Sequence, residues 1–252
     1  MLNKEQLLDI SKFTRLKLHQ QEKHYIQTLV LSSLYASVSS ELVFKGGTAL
    51  LFFYGLNRFS EDLDFTVVKD VDLKKLCENV EQSLAYVGMP KRIGQKKDTA
   101  VSFSFKVGAE GPLYDKEISR CFVDVEISKR EIVEHFETKE VRSIYPDILP
   151  FTVCVMKQEE IVAEKIRAIL KRNYARDVYD LHFLLRRGCI IDSSLVQKKM
   201  EFYHEVFKKA EFLKKVDEKK SVWESELKSF VIGELPTFSD VKKVIVDAVE
   251  HM

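Results

Sequence analysis

What constrains this chain most is a succession packed into residues 42 to 65. An apolar run, Leu42-Val43-Phe44, leads to a glycine pair, Gly46-Gly47, and then to Arg58-Phe59-Ser60-Glu61-Asp62-Leu63-Asp64-Phe65. The run reads as a strand, the glycines as a turn, Thr48 to Tyr54 as a helix, and the acidic segment as a second strand ending near Val68. In an extended chain residues two apart share a face, so Asp62 and Asp64 project one way while Leu63 and Phe65 turn to the core. Two hard oxygen donors so placed suit Mg²⁺ or Mn²⁺, which favour carboxylates, water and phosphate over nitrogen or sulfur. The glycines let backbone N–H groups approach a triphosphate, and the helix N-terminus and Thr48 hydroxyl add favourable partners. Either half alone is commonplace, a solvated strand edge or a tight turn; their order and closeness make them informative.

Two later segments extend the pattern. Glu159-Glu160-Ile161-Val162-Ala163-Glu164-Lys165-Ile166-Arg167 places a lysine on a helix, and Arg176-Asp177-Val178-Tyr179-Asp180-Leu181 follows it. With these motifs in order between residues 45 and 181, the chain resembles the AbiEii/AbiGii toxin family, also seen in MenT-type toxins. That family is a branch of the polymerase β-like nucleotidyltransferases. The resemblance implies an α/β (α+β) nucleotidyltransferase lobe, a mixed sheet flanked by helices, followed by a helical C-terminal lobe. The division expected is 1–156 for the first and 157–252 for the second, which carries the Lys and Arg-Asp-x-x-Asp motifs.

Polymerase β-like enzymes usually take a third metal-coordinating carboxylate from a neighbouring strand. In Cys121-Phe122-Val123-Asp124-Val125-Glu126-Ile127 the apolar Val123, Val125 and Ile127 share one face and Asp124 and Glu126 the other. Glu126 is favoured because a family-like Ile-Ser-x-Arg-Glu tail follows it, and Asp124, one pleat away, could serve instead. The competing explanation is an exposed acidic face paired with Lys129 or Arg130.

The resemblance then implies roles. Mg²⁺ (or Mn²⁺) would be held by Asp62, Asp64 and Glu126 or Asp124. Gly46, Gly47 and Thr48 would cradle the phosphates of an NTP, with Ser60 beside them. Lys165 would set a positive charge against the triphosphate, and Arg58, Arg172 and Arg176 could add forked donors. Asp180, with Lys165 and the Asp62/Asp64 pair in the catalytic set, would hold Lys165 or Arg176 or contact the nucleotide. Asp177 could do the same, or form a purely structural ion pair. The implied function is an NTP-dependent toxin of a bacterial toxin–antitoxin or phage-defence pair. It would pass NMP to the tRNA 3′ end and so stop translation, with a cognate antitoxin as partner. Competing readings are modification of a protein or a small molecule such as an aminoglycoside, or a degenerate nucleotide-binding protein. An Asp-x-Asp glycosyltransferase would not call for the Gly-Gly-Thr turn or the later helices.

A spacing test bears on Lys165 and Asp180. On one straight helix from Glu159 to Leu185 they would lie about 22 Å apart along the axis and could not meet. Asn173 is a plausible cap and Arg176-Asp177 a plausible new start, so a turn there would return Asp180 to the level of Lys165. On the first helix Lys165, Arg172 and Arg176 fall at i, i+7 and i+11, one face.

Elsewhere the periodicities predict one or two helices over Leu7 to Val38 and a helix over Asp70 to Val87. Strands are predicted over Val101 to Val107 and Phe151 to Met156, and a last helix over about Ser239 to Val249. Composition, 45% hydrophobic and 31% charged over 252 residues, is that of a globular protein. The chain carries 40 basic against 39 acidic residues, so nucleic-acid contact would have to be local, and Lys165 to Arg176 is the densest basic stretch. Four scattered cysteines and six histidines lack zinc or disulfide spacing and read as buried thiols and packed rings. With no long apolar run and no signal-like N-terminus, a cytoplasmic protein without membrane contact is expected.

Overall fold

Helix starts follow the side chains available to cap them. Asn3 accepts from the Gln6 amide at 2.9 Å while Gln6 reaches back to the Asn3 amide at 3.0 Å, a reciprocal box opening α1 (Lys4–Thr14). The longer α2 (Leu18–Tyr35) buries Tyr25, Ile26, Val30, Leu31 and Leu34. Strand β1 (Leu42–Lys45) runs directly into α3 (Gly46–Tyr54), so the two glycines form the helix's first turn instead of a separate loop. After β2 (Leu63–Val67), Asp72 caps α4 (Leu73–Tyr86) by accepting from the Lys74 and Lys75 amides. The computed structural model describes residues 1–89 and 91–252.

Strands β3 (Lys91–Asp98), β4 (Ser102–Ala109), β5 (Cys121–Ser128), β6 (Phe136–Val141) and β7 (Phe151–Met156) complete a seven-stranded sheet of order β3-β4-β5-β2-β1-β7-β6. It is mixed: β2 runs parallel to β5 and β1 parallel to β7, while β1–β2, β3–β4 and β4–β5 are antiparallel. The periodicity analysis anticipated neither β3 nor β6. Both are edge strands with polar sequences, Lys-Arg-Ile-Gly-Gln-Lys-Lys-Asp and Phe-Glu-Thr-Lys-Glu-Val, as edges tend to be where lysine blocks unwanted pairing.

One face of the central strands is closed by Leu63, Phe65, Phe103, Phe105, Val107, Val123, Val125 and Ile127, all buried. The opposite face carries Asp64, Ser104, Lys106, Asp124 and Glu126, each at least partly accessible. This alternation, broken only towards the strand ends at Thr66 and Gly108, is the sequence's period of two made physical.

The chain falls into two compact units, Met1–Tyr54 with Phe59–Val155, and Gly55–Arg58 with Met156–Met252. The sheet belongs to the first. The second is built from α5 (Gln158–Lys171), α6 (Ala175–Arg186), α7 (Ser193–Glu201), α8 (Lys209–Glu218), α9 (Trp223–Leu227) and α10 (Phe238–Glu250). The short stretch before β2 joins it, with Arg58 bridging Val231 and the Ile232 amide donating to the Asn57 carbonyl. Trp223 anchors this unit's core, its indole N–H donating to the Pro236 carbonyl at 3.0 Å. All four cysteines are free; Cys77 and Cys154 are buried, Cys121 and Cys189 half-buried. Among the described residues no helix is long and apolar enough to cross a membrane.

Candidate functional site

Strand register builds one row of side chains across the open face of the sheet. Lys45 pairs with Asp64, Asp64 with Glu126, Glu126 with Ser104, and Ser104 with Lys97. Register partners on neighbouring strands present side chains to the same face, so two carboxylates stand side by side with a lysine at each end of the row. Asp124 lies one pleat along, in register with Lys106, and its carboxylate meets the Lys106 ammonium at 3.2 Å. Of the two acids proposed as partners for Asp64, the register therefore selects Glu126.

Gly46 sits directly against Asp64. Its φ is +74°, and a Cβ placed on it would overlap Asp64 Oδ2 and come within 3.2 Å of Asp64 Cβ and Cγ. Only glycine meets both demands, since an L side chain at this φ is strained and the space is already filled. The first-turn N–H groups of α3, on Gly47 and Thr48, thereby open beside a carboxylate-bearing strand, and any helix start leaves such groups without intrahelical acceptors. Thr48 itself is fully buried and its hydroxyl donates to the Asp62 backbone carbonyl. Its side chain thus locks the approach to β2 in place of a phosphate contact. Asp62 lies one residue before the strand begins.

The segment leading into Asp62 is held from α2. Gln27, fully buried, donates from Nε2 to the Ser60 and Glu61 carbonyls at 3.0 and 2.8 Å, and Lys23 pairs with Glu61 at 3.2 Å. At the other end of the row Lys45 is ion-paired to Glu131, which also accepts from the Thr66 hydroxyl at 3.5 Å. Lys45, Gln27 and Glu131 were not among the predicted site residues. The signals were present: Lys45 directly precedes Gly46, and Glu131 closes the Ile-Ser-x-Arg-Glu tail.

The expected metal cage is not assembled as drawn from the sequence. Among the described residues no three histidine, cysteine, aspartate or glutamate side chains gather closely enough to hold an ion. Asp62 stands outside the strand and Asp124 is turned to Lys106, which leaves Asp64 with Glu126. An all-oxygen pair of this kind fits Mg²⁺ bound jointly with a substrate's phosphates, since that ion keeps several waters and commonly uses one or two carboxylates.

The remaining candidates form a second, different cluster inside the helical unit. Helix α5 ends at Lys171 and α6 begins at Ala175, so the chain folds back as the spacing test required. Lys165 meets Asp177 at 3.0 Å and Asp180 at 2.6 Å. Arg58 forks onto Asp180, Nε to Oδ1 at 2.6 Å and Nη2 to Oδ2 at 2.7 Å, and Arg172 forks onto Asp177 at 2.6 and 2.8 Å. Asp177 and Asp180 are 0% exposed and Lys165 6%. Burial alone would raise both carboxyls. Lys165 and Arg172 outweigh it at Asp177, holding that carboxyl well below the usual range, and Arg58 and Lys165 outweigh it at Asp180, holding that one below it.

Two expectations are corrected here. Arg58 is 3% exposed with its fork committed to Asp180, so it is not available as a phosphate donor. Lys165, Arg172 and Arg176 do not share one helix face, because Arg172 caps α5 in extended conformation and Arg176 belongs to α6, its guanidinium stacked on Tyr174 at 4.6 Å. The basic stretch as a whole is engaged locally, with Lys171 on Glu205 and Arg167 over the Tyr203 ring.

A cavity of about 370 Å³ opens on the carboxylate face, lined by Glu126, Asp124, Ser104, Lys106, Lys96 and Lys97. A larger one, about 830 Å³, lies in the helical unit around Trp223, Phe238, Lys220 and Lys228 and contains none of the candidate residues.

Comparison with known proteins identifies what this arrangement belongs to. Similar solved structures include a Helicobacter pylori protein, with TM-score 0.64, 22% identity and 94% of this chain and 95% of that one covered. JHP933 from Helicobacter pylori gives TM-score 0.59 and 21% identity over 94% and 92%. MenT4, a nucleotidyltransferase toxin of Mycobacterium tuberculosis, gives TM-score 0.67 and 18% identity over 99% and 89%. At these identities the likeness establishes the fold. No curated protein matches the chain in sequence. The profile of the nucleotidyl transferase AbiEii toxins of type IV toxin–antitoxin systems matches residues 30–244, and the chain belongs to that family.

Proposed function

We propose that the sheet unit binds a nucleoside triphosphate with Mg²⁺ or Mn²⁺ against Asp64 and Glu126, Asp62 adjoining, and transfers its NMP to the 3′ end of tRNA in the cytoplasm, arresting translation. The observation that supports this most is the pairing of Asp64 with Glu126 beside the Gly46 turn that opens α3. When bound, the divalent ion would supply Lewis-acid relief of the charge developing on the α-phosphoryl group.

The chain's own residues supply the rest. First-turn amides of α3 present N–H donors to the β and γ phosphates, at the positive end of the helix. Gln27 and Thr48 act one step removed, by fixing the backbone from Ser60 to Asp62. Lys45, held by Glu131 beside Asp64, places a cation at the near end of the row. The acceptor hydroxyl oxygen forms a bond to the α-phosphorus as the bond to the β-phosphate's bridging oxygen breaks. Pyrophosphate leaves, and the hydroxyl proton passes to solvent or a neighbouring carboxylate. Within the helical unit Asp177 and Asp180 hold the Lys165 ammonium in one position, so we assign those aspartates a positioning role and Lys165 a requirement for activity. The toxin is opposed by a cognate antitoxin, as its family implies, and serves in defence against phage.

Incubation with each α-³²P-labelled NTP, Mg²⁺ and total bacterial RNA, resolved on a denaturing gel, tests the reading. Label in a tRNA-sized band with the unaltered protein, absent with Asp64→Asn, is the expected result. Label confined to protein, or none in any lane, overturns the assignment of tRNA as acceptor.

A further inference from the structure

The carboxylate row does not stop at Glu126. It continues through Ser104 on β4 to Lys97 on β3, and this continuation forms the floor of the 370 Å³ cavity. Adjacent strands are spaced about 4.8 Å apart, which puts the β3 backbone roughly 10 Å from that of the Glu126 strand. Two lysines of this cavity stand on the open face by register. Lys97 is paired with Ser104, and Lys106 lies two residues along β4 from Ser104. Lys96 is set apart from them by its contact with the Cys77 thiol.

A lysine-bearing edge strand is ordinarily explained as protection against pairing. That explanation covers β3 but not Lys106, which sits on an interior strand, over the Phe122 ring at 5.9 Å and against Asp124. The Lys106–Asp124 pair is about one-third exposed at both partners, 34% and 38%. Pairs that open exchange readily, so a phosphate can replace the carboxylate. The result is a cavity with two solvent-accessible ammonium groups and a hydroxyl at one end and a carboxylate of the candidate site at the other.

We propose that this cavity binds the phosphate backbone of the RNA strand whose terminal hydroxyl receives the nucleotide. Lys97 and Lys106 are its phosphate partners and Ser104 a hydrogen-bond donor. The proposal rests on the nucleotidyl-transfer reading. It deepens that reading by locating the acceptor strand on the β3–β4 side of Glu126, away from the α3 amides that take the triphosphate.

Fluorescence anisotropy of a 5′-fluorescein-labelled single-stranded oligoribonucleotide, titrated with the full chain across a series of salt concentrations, tests it. Each lysine should contribute about 0.7 to the slope of log affinity against log salt, the value for one single-strand phosphate contact. Lys97→Ala and Lys106→Ala should each lower the slope by about that amount, and the double variant should weaken binding roughly tenfold or more at low salt. Lys97→Arg and Lys106→Arg should retain it, because charge is what the strand reads. Binding of a fluorescent NTP with Mg²⁺, measured in parallel, separates the two ideas. If the unaltered chain binds that nucleotide while RNA affinity and slope are the same in the double variant, the proposal falls and nucleotidyl transfer stands. Failure of the unaltered chain to bind nucleotide would bring down both.

Discussion

Two groups of acids in this chain solve opposite electrostatic problems. Asp177 and Asp180 are wholly buried, and every carboxylate oxygen is met by a cation from Arg58, Lys165 or Arg172. Asp64 and Glu126 stand side by side on a solvent-facing sheet surface, Glu126 exposed and Asp64 half-buried. The first arrangement is complete without a ligand. The second sets two carboxylates at adjacent register positions on an accessible face, where a cation from solution can reach them. Substituting one acid from each group should therefore affect different quantities.

The largest effect on activity is expected at the sheet. Asp64→Asn keeps the shape of a half-buried side chain while removing its charge, so nucleotide transfer should fall by roughly a thousandfold while thermal stability changes far less than in Asp180→Ala. A gel assay with labelled NTP beside a melting curve would read both. A large loss of stability would mean that Asp64 is a structural group like Asp180, and the contrast between the two regions would be gone.

In the helical unit Asp180→Ala leaves Arg58 and Lys165 buried with less negative charge than they need. Breaking a buried ion pair at one partner typically costs about 3–5 kcal/mol. Trp223 is the only tryptophan and lies in this unit, so its fluorescence in urea reports the change directly. A shift under about 1 kcal/mol would show that the ionic network carries little of the unit's stability.

Gly46→Ala sharpens the comparison from the backbone side. The left-handed conformation at φ +74° costs a residue with a Cβ about 1–2 kcal/mol, and the added methyl would also displace Asp64. Affinity for the Mg²⁺–NTP complex should drop together with stability, a joint loss that Asp64→Asn does not produce. Unchanged nucleotide affinity would detach the glycine turn from the site.

How much of this could be read from sequence follows the same division. Alternation over Phe103 to Val107 and Val123 to Ile127, and the Asp-x-Asp and Gly-Gly pattern, located the open face and its acids, because a period of two is a local property. Pairing of Asp64 with Glu126, and not Asp124, depends on register, which no single strand encodes. Arg58 shows the limit most clearly. As a surface motif it resembled a phosphate donor, but its short stretch joins the helical unit and Asp180 consumes its fork. Edge strands β3 and β6 were illegible for the reason that makes them good edges: they carry little apolar pattern to detect.

Acid draws the last contrast, through a histidine of the sheet unit. His24 of the sheet unit is stacked on Phe52 of α3 at 4.6 Å and bonded to the Tyr145 hydroxyl at 2.7 Å, and burial pushes its pKa down from 6.5 to about 4. Between those values the unfolded chain binds a proton that the folded one refuses, so stability present above about pH 6.5 is lost as pH falls towards 4. The ceiling is about 3 kcal/mol at 1.36 kcal/mol per pKa unit. Asp177 and Asp180 are also depressed in the folded state, but their stabilising contribution is complete above the ordinary carboxyl value of about 3.9 and is lost only below it. Acidification from pH 7 to 5 should then weaken the sheet unit, followed by amide hydrogen exchange in β1 and β2, while Trp223 follows a separate loss in the helical unit, where burial also depresses His182. His24→Gln should flatten the first response and leave the second untouched. A slope in the sheet unit that survives in the variant would place that unit's acid sensitivity outside His24.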